Sequence, residues 1–217
     1  MENVFEIKNS KLYLPDHETD SLQTCIRGLN NYWDYPALEM IDKYISDGAT
    51  IVDMGANLGN HSVYWGVERN AKRVYAFEPF DRMYKVLTRN IELNNLEDIV
   101  IPYNVGLYNV ETKADVMLVW EQNLGGTTFR PDENGPYKLV TFDSLNIEDK
   151  IDLIKIDVES LEIQAIEGAI ESIKKNLPVI VVEIHSDKNR VEELLFPLGY
   201  KLVETIRENE DYIYAVE

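Results

Sequence analysis

Four times along this chain a short apolar run gives way to a segment with apolar residues at helical spacing. "TIVDM" is followed by "NLGNHSVYWGVER", "RVYAFEP" by "DRMYKVLTRNIELN", "IDLIKIDVE" by "LEIQAIEGAIESIKKN", and "PVIVVEIH" by "KNRVEELLFPLG". A strand that returns through a helix to its neighbour runs parallel to it, and such crossovers are right-handed. The rhythm therefore restricts the chain to an α/β fold, a mostly parallel doubly wound sheet with helices on both faces. "PALEMIDKYI", residues 36–45, adds a helix ahead of the first strand, with Pro36 at its start, where a missing N–H costs nothing. "IVIPYNVGL" adds a third strand, and "YKLVETI" and "DYIYAVE" come without a helix between them, so a C-terminal antiparallel hairpin is expected at the sheet edge.

Two stretches stand outside this rhythm. Residues 1–35 read as an N-terminal extension, a short strand or hairpin followed by polar loop, which leaves 36–217 as one domain. Residues 111–140 read as an insertion, in which "ADVMLVW" and "YKLVTFDSL" flank the loop "EQNLGGTTFRPDENGP". A loop that long in a compact domain is usually a lid or a binding loop. Its half from Pro131 to Pro136 reads equally well as a solvated hairpin tip.

Charge narrows the partners. With 39 acidic and 21 basic residues the chain carries a net charge of −18. Such a surface repels nucleic-acid backbones and anionic membranes at long range, so a small-molecule partner is expected. The single cysteine, Cys25, excludes an intramolecular disulfide. No run approaches the roughly 20 apolar residues of a membrane span, and "MENVFEIKNSKLYL" has no apolar signal core, so a cytoplasmic location is expected.

In a doubly wound sheet, ligands bind at the carboxyl ends of the strands, where the first strand turns into its helix. Here that turn is "VDMGANLGNHS", residues 52–62. A dinucleotide turn, G-x-G-x-x-G, needs its middle glycine so that a pyrophosphate can touch the main chain. This chain has Gly55, Asn57 and Gly59, and spells out no pyrophosphate site. S-adenosylmethionine has no phosphate, and its ammonium group seeks carboxylates and carbonyls, which Asp53 beside the turn would supply. Glu78 ends the second strand, 23 positions beyond Gly55, where an acid accepts hydrogen bonds from ribose hydroxyls. Asp53 read alone would also suit a helix-start carboxylate, and Glu78 read alone would serve NAD.

A second constellation lies in "IKIDVESLE", residues 154–162. Ile154, Ile156 and Val158 alternate with Lys155, Asp157 and Glu159, so the charged residues share one face. Charges in a sheet covered on both faces are costly unless paired or functional. "VVEIH" repeats the device with Glu183 and His185. Plainer readings stand beside these. Lys155 would neutralise a neighbouring acid, Glu162 would favour the first turn of the next helix, and His185 would be a satisfied strand-end residue. Two acid-bearing strand ends converging on one crevice nevertheless point to chemistry.

The segments "TIVDMGANLGNHSVYW", "VYAFEP", "NVGL", "NLGGTTF", "LIKIDVESLEIQAIEGA" and "VVEIH" resemble, in order and spacing, the FkbM family of S-adenosylmethionine-dependent methyltransferases. The likeness runs from about residue 36 to the C-terminus, and K-I-D-V-E followed by "EGA" is its most specific piece. It implies a Rossmann-like class I methyltransferase fold with a seven-stranded sheet. The activity it implies is methyl transfer to a hydroxyl of a sugar, nucleotide sugar or glycan precursor. On that resemblance Asp53, Gly55, Ala56, Asn57, Gly59, Asn60, Glu78 and Pro79 bind the cofactor, with Asn104 near the adenine or ribose. Asp157 sits nearest the methyl group and is the first candidate for the base, with Glu159 and His185 behind it. Ser160 departs from the pattern, since a glycine usually follows D-V-E.

No dedicated metal site is spelled out, although the same acids would suit a divalent cation. The acceptor is expected in a neutral pocket lined with tyrosines. An NAD-dependent oxidoreductase is the rival reading and lacks its middle glycine. A module that binds S-adenosylmethionine without using it is the other, and the strand-end acids argue against it.

Overall fold

The computed structural model describes residues 2–206 and 211–216. Its centre is a seven-stranded sheet built from β3 (Thr50–Met54), β4 (Arg73–Phe77), β5 (Val100–Tyr103), β10 (Leu153–Ile156), β11 (Val179–Glu183), β12 (Tyr200–Ile206) and β13 (Asp211–Val216). The strands lie in the order β12-β13-β11-β10-β3-β4-β5. All neighbours are parallel except β13, which runs antiparallel to both β11 and β12. This is the mostly parallel Rossmann-like sheet with a closing hairpin that the strand-helix rhythm predicts.

Both faces are covered, and alternate residues of each strand feed separate cores. Ile51 points toward Val63 and Trp65 of α3 (Asn60–Glu68) and Leu87 of α4 (Asp81–Leu93), together with Leu38 of α2 (Tyr35–Ile41). Val52, Met54, Ile154 and Ile156 point the other way. They meet Ala165 and Ile166 of α5 (Glu162–Glu167), Ile173 of α6 (Ile170–Asn176) and Val191 of α7 (Lys188–Leu195). Burying each such aliphatic side chain contributes about 1.5–3 kcal/mol. Among the described residues no helix is long and apolar enough to cross a membrane.

The structure departs from the sequence reading in four places. The helix expected across 161–176 is two, broken at Gly168. A Cβ there would stand 2.0 Å from the carbonyl oxygen of Tyr108. Asp143 then restarts the helix, its carboxylate accepting from the N–H groups of Glu171 and Ser172 at 3.0 and 2.9 Å. "IVIPYNVGL" is divided between β5 and β6 (Gly106–Leu107). The latter joins β7 (Thr112–Leu118), β8 (Thr128–Pro131) and β9 (Tyr137–Val140) in a four-stranded sheet of order β6-β9-β7-β8. The loop after β7 thus contains a strand, β8, which the reading of 121–136 as irregular did not foresee.

The polar loop expected before residue 35 is the fourth departure. After the hairpin β1 (Val4–Ile7) and β2 (Ser10–Tyr13) comes a helix, α1 (Ser21–Leu29), capped by the Asp20 carboxylate through Gln23 N–H at 2.8 Å. The hairpin is docked by two asparagines one turn apart, one on α4 and one at its C-cap. Asn90 Oδ1 accepts from Tyr13 N–H at 2.6 Å, and Asn94 exchanges two 2.8 Å bonds with the backbone of Lys11. The free edge of β2 therefore finds partners it would otherwise seek in water.

The strand β10 stops at Ile156, and Glu159 and Ser160 beyond it adopt left-handed backbone conformations, with φ of +50° and +76°. Pleat alternation therefore carries Lys155 but not Glu159, which a turn delivers instead. A left-handed L-residue costs about 1–2 kcal/mol, partly offset in a glycine by its larger unfolded-state entropy. Ser160→Gly is expected to stabilise the fold by about 0.5–1 kcal/mol, read as a raised urea midpoint at unchanged slope. A lowered midpoint would show that Ser160 contributes more than its backbone.

Candidate active site

At the carboxyl ends of β3, β4, β10 and β11 lies a cavity of about 240 Å³. Its walls include Gly55, Ala56, Asn57, Asn60, Glu78, Pro79, Lys155, Asp157, Glu159 and Glu183. The cofactor candidates thus divide. Those at the two turns line the cavity, whereas Asp53, Gly59 and Asn104 are not part of its wall.

Asp53 is fully buried beneath the turn. Its Oδ2 accepts from Ser62 Oγ at 2.6 Å and its Oδ1 pairs with Lys155 Nζ at 3.3 Å. Parallel register sets Lys155 beside Asp53 on one face of the sheet. The ammonium also reaches Asp157 Oδ2 at 3.2 Å and the carbonyl oxygen of Gly55 at 3.0 Å. Lys155 therefore satisfies three donors with partners from β3, the first turn and the residue just after β10. Burial raises the Asp53 carboxyl against the pull of Lys155. Burial also opposes ionisation of Asp157, yet Lys155 and a hydrogen bond from Glu183 hold its carboxyl below the usual range. The neighbouring acids outweigh burial at Lys155 and raise its ammonium.

The turn itself explains its residues. Gly55 has φ +83°, and a Cβ there would stand 1.8 Å from the Asp157 carbonyl oxygen, so no side chain fits. Asn57 takes the left-handed conformation at φ +49°, which asparagine tolerates where most residues do not. Gly59, at φ +85°, precedes α3 and lies against Leu87. Asn60 faces the cavity but is bonded elsewhere, its amide pairing with both backbone groups of Trp33 at 2.9 and 3.1 Å.

Glu78 stands at the end of β4. Its Oε2 accepts from Asn57 N–H and its Oε1 from Phe80 N–H, both at 2.8 Å. Burial pushes its carboxyl up to about 7 in spite of those two bonds. Asn104 closes the same turn from β5, its Nδ2 donating to the carbonyl oxygens of Glu78 and Pro79 at 3.0 and 3.2 Å.

The second constellation comes together through the turns that follow β10 and β11, with Glu159 and Glu183 lining the cavity and His185 outside its wall. His185 Nε2 lies 3.6 Å from Glu183 Oε1 and 3.9 Å from Glu159 Oε2. Burial and the Asp157 charge push the Glu159 carboxyl up to about 7, with His185 pulling the other way. Glu162 is fully buried and joins the two strand ends, accepting from Ser160 N–H at 2.6 Å and Ser186 Oγ at 2.8 Å. Among the described residues no group of three or more His, Cys, Asp or Glu side chains is arranged to hold a metal ion. No tyrosine lines the cavity, contrary to the expectation for the acceptor pocket. Its aromatic wall is Trp33, Phe77 and Phe129. Trp33 and His61 escaped the sequence reading; His61 sits inside the turn motif, whereas Trp33 has no local signal.

A model of the methyltransferase FkbM domain matches residues 53–213. The chain belongs to the FkbM family of methyltransferases. The FkbM chain is also 26% identical over 192 residues to methyltransferase sdnD of Sordaria araneosa, covering 70% of this chain and 73% of that one. Among solved structures it resembles an FkbM methyltransferase of Methylobacillus flagellatus KT, at a TM-score of 0.55 and 18% identity. That match covers 79% of this chain but only 44% of the other, so the chain spans less than half of that relative's length. The Streptococcus pneumoniae protein Sp1610, a putative tRNA (m1A22) methyltransferase, superposes at a TM-score of 0.55 with 13% identity, covering 82% and 67% of the two chains. At those identities both structures show the fold alone.

The methyl donor of the family is S-adenosylmethionine, and the residues present fit it. Gly55, Ala56 and Asn57 of the first turn line the cavity. The buried Oδ1 of Asn57 has no hydrogen-bond partner in the protein. Each Glu78 oxygen carries one N–H bond and retains a lone pair for a ribose hydroxyl. Glu78→Ala is expected to weaken S-adenosylhomocysteine binding by about 1.5–3 kcal/mol, measured by calorimetry. An unchanged affinity would remove Glu78 from the cofactor site.

Proposed function

We propose that this FkbM chain transfers the methyl group of S-adenosylmethionine to a hydroxyl of a small acceptor, with a sugar, nucleotide sugar or glycan precursor as the leading class. One observation carries the reading: the strand-end carboxylate of Glu78, with lone pairs left for a ribose, and a carboxylate raised to about 7, Glu159, open into one cavity. We take residues 36–217 as the methyltransferase domain, 1–35 as an extension of it, and 111–140 as an insertion on its acceptor side.

When bound, S-adenosylmethionine supplies an electrophilic methyl group on a sulfonium. A sugar hydroxyl is a poor nucleophile at neutral pH, so a base within reach is worth about 10²- to 10⁴-fold. A base acts best with its pKa near the working pH. That favours Glu159 over Asp157, whose carboxyl lies below the usual range and holds protons weakly. Glu159 takes the hydroxyl proton as the oxygen attacks, and His185 offers the next acceptor 3.9 Å away. Asp157 and Lys155 hold the strand end and the turn in register. A net charge of −18 supports a small acceptor over a polyanion.

The test has two steps. Calorimetry should show S-adenosylmethionine or S-adenosylhomocysteine binding, with NAD absent or far weaker. Labelled S-adenosylmethionine is then incubated with extracts of the source organism, and the label is expected in a low-mass hydroxyl compound. Label in RNA or protein would overturn the acceptor class, and comparable NAD binding would overturn the cofactor.

A further inference from the structure

Three residues that line the cavity lie ahead of the matched domain, which begins at residue 53: Ser21, Leu22 and Trp33. They belong to the segment 16–33, and that segment is tied to the loop following β7. Asp20 makes the tie. Its side chain is almost wholly buried, at 2% exposure, and its two oxygens serve different elements. Oδ1 caps α1 through Gln23 N–H at 2.8 Å, while Oδ2 accepts from Leu124 N–H at 2.7 Å, 104 positions away. Ser21 N–H donates to the Gln122 carbonyl at 2.7 Å directly beside it. On the outside Arg82 clasps both partners, Asp16 at 2.7 Å and Glu121 at 3.0 Å.

We infer that Asp20 is a positioning residue for the acceptor side of the cavity. By one carboxylate it locks α1 to residues 121–126, so that Ser21, Leu22, Trp33, Asn123 and Leu124 form a single wall. The assignment of that wall to the acceptor rests on the proposed function. The turns of β3 and β4 occupy the cofactor side, and the acids of β10 and β11 the centre. These five residues supply a hydroxyl, an amide, an aliphatic pair and an indole. That mixture suits a compound with both hydroxyl groups and an apolar face. The wall also comes largely from outside the matched domain, so acceptor choice here is set by residues that other members need not share.

The test reads amide exchange and cofactor affinity together. In Asp20→Ala the N–H groups of Gln23 and Leu124 lose a charged acceptor, and their exchange is expected to quicken about tenfold or more. Residues 121–126 should loosen with them while amides of β3 and β4 stay as in the parent protein. S-adenosylhomocysteine affinity, by calorimetry, is expected to change by no more than about twofold. Should Asp20→Ala fail to fold, Asp20→Asn keeps the shape and one acceptor oxygen, and exchange should then quicken at only one of the two amides. Unchanged exchange at Leu124 and 121–126 would overturn the coupling. Affinity falling in step with the loosening would make the wall a cofactor cover and overturn its assignment. A parent protein that does not bind S-adenosylhomocysteine would defeat the proposed function and the acceptor assignment with it, while the exchange result still decides the coupling.

Discussion

Replacing Lys155 by methionine is expected to cost the folded state about 3–5 kcal/mol near pH 8, the scale for removing one partner of a buried ion pair. The Lys155 side chain is 9% exposed and Asp53 beside it is fully buried, so water cannot take over the charge. Without the ammonium, Asp53 keeps only Ser62 and its burial, and its folded pKa must climb further above the unfolded value. The sign follows. A carboxyl with a raised folded pKa favours the fold while protonated, and that advantage is lost as pH rises through the folded pKa. The variant should therefore lose less stability at pH 5.5 than at pH 8, by urea unfolding at each. Adding Asp53→Asn should recover much of the loss at pH 8, because the stranded charge is gone. Equal losses at the two pH values, or a double variant no better than the single, would show that Lys155 matters through packing instead.

Turnover of Glu159→Gln is expected to fall by about 10²- to 10⁴-fold once an acceptor is known, with the protein folded and S-adenosylhomocysteine affinity near that of the parent. The parent rate at saturating cofactor should rise through a pH of about 7, where Glu159 gives up its proton, and then level. The neighbours shift that limb in opposite directions. Asp157 raises the Glu159 carboxyl, so Asp157→Asn should move the limb to lower pH. His185 lowers it, so His185→Ala should move the limb higher. If Asp157 is the base instead, Asp157→Asn removes turnover and no limb near 7 exists. Glu78 is also raised to about 7, so calorimetry across the same pH range is needed to separate binding from proton transfer.

The sheet was legible because its signals are local and repeated. Each parallel strand is a short apolar run with its helix behind it, and the closing pair announces itself by the missing helix. The turn was legible for the same reason, Gly55, Asn57 and Gly59 being the residues a left-handed path tolerates. What escaped depends on partners distant in sequence. Gly168 looks like an acceptable helix residue until Tyr108 arrives beside it. α1 is nine residues long, and its cap, Asp20, owes its second bond to Leu124. The face-sharing argument placed Lys155 correctly but misjudged how Glu159 arrives, because the strand ended two residues sooner than the apolar alternation. Asp53 was read as a ligand group, and its burial beneath the turn follows from the register of β3 with β10, which no single segment contains.

The position of β13 has a consequence for the order in which the molecule assembles. β12 precedes β13 in the chain but, among the described residues, pairs with the sheet only through it. Until residues 211–216 insert, β12 has no place to dock, and β11 presents an open edge of backbone N–H and C=O groups next to the acid-bearing strand ends. On the ribosome the chain emerges N-terminus first, so the strand that covers the β11 edge appears only after β12. The half built from β3, β4 and β5 can condense early on local crossovers. The other half must wait, exposing an edge prone to pairing with other chains, until residues 211–216 have left the exit tunnel.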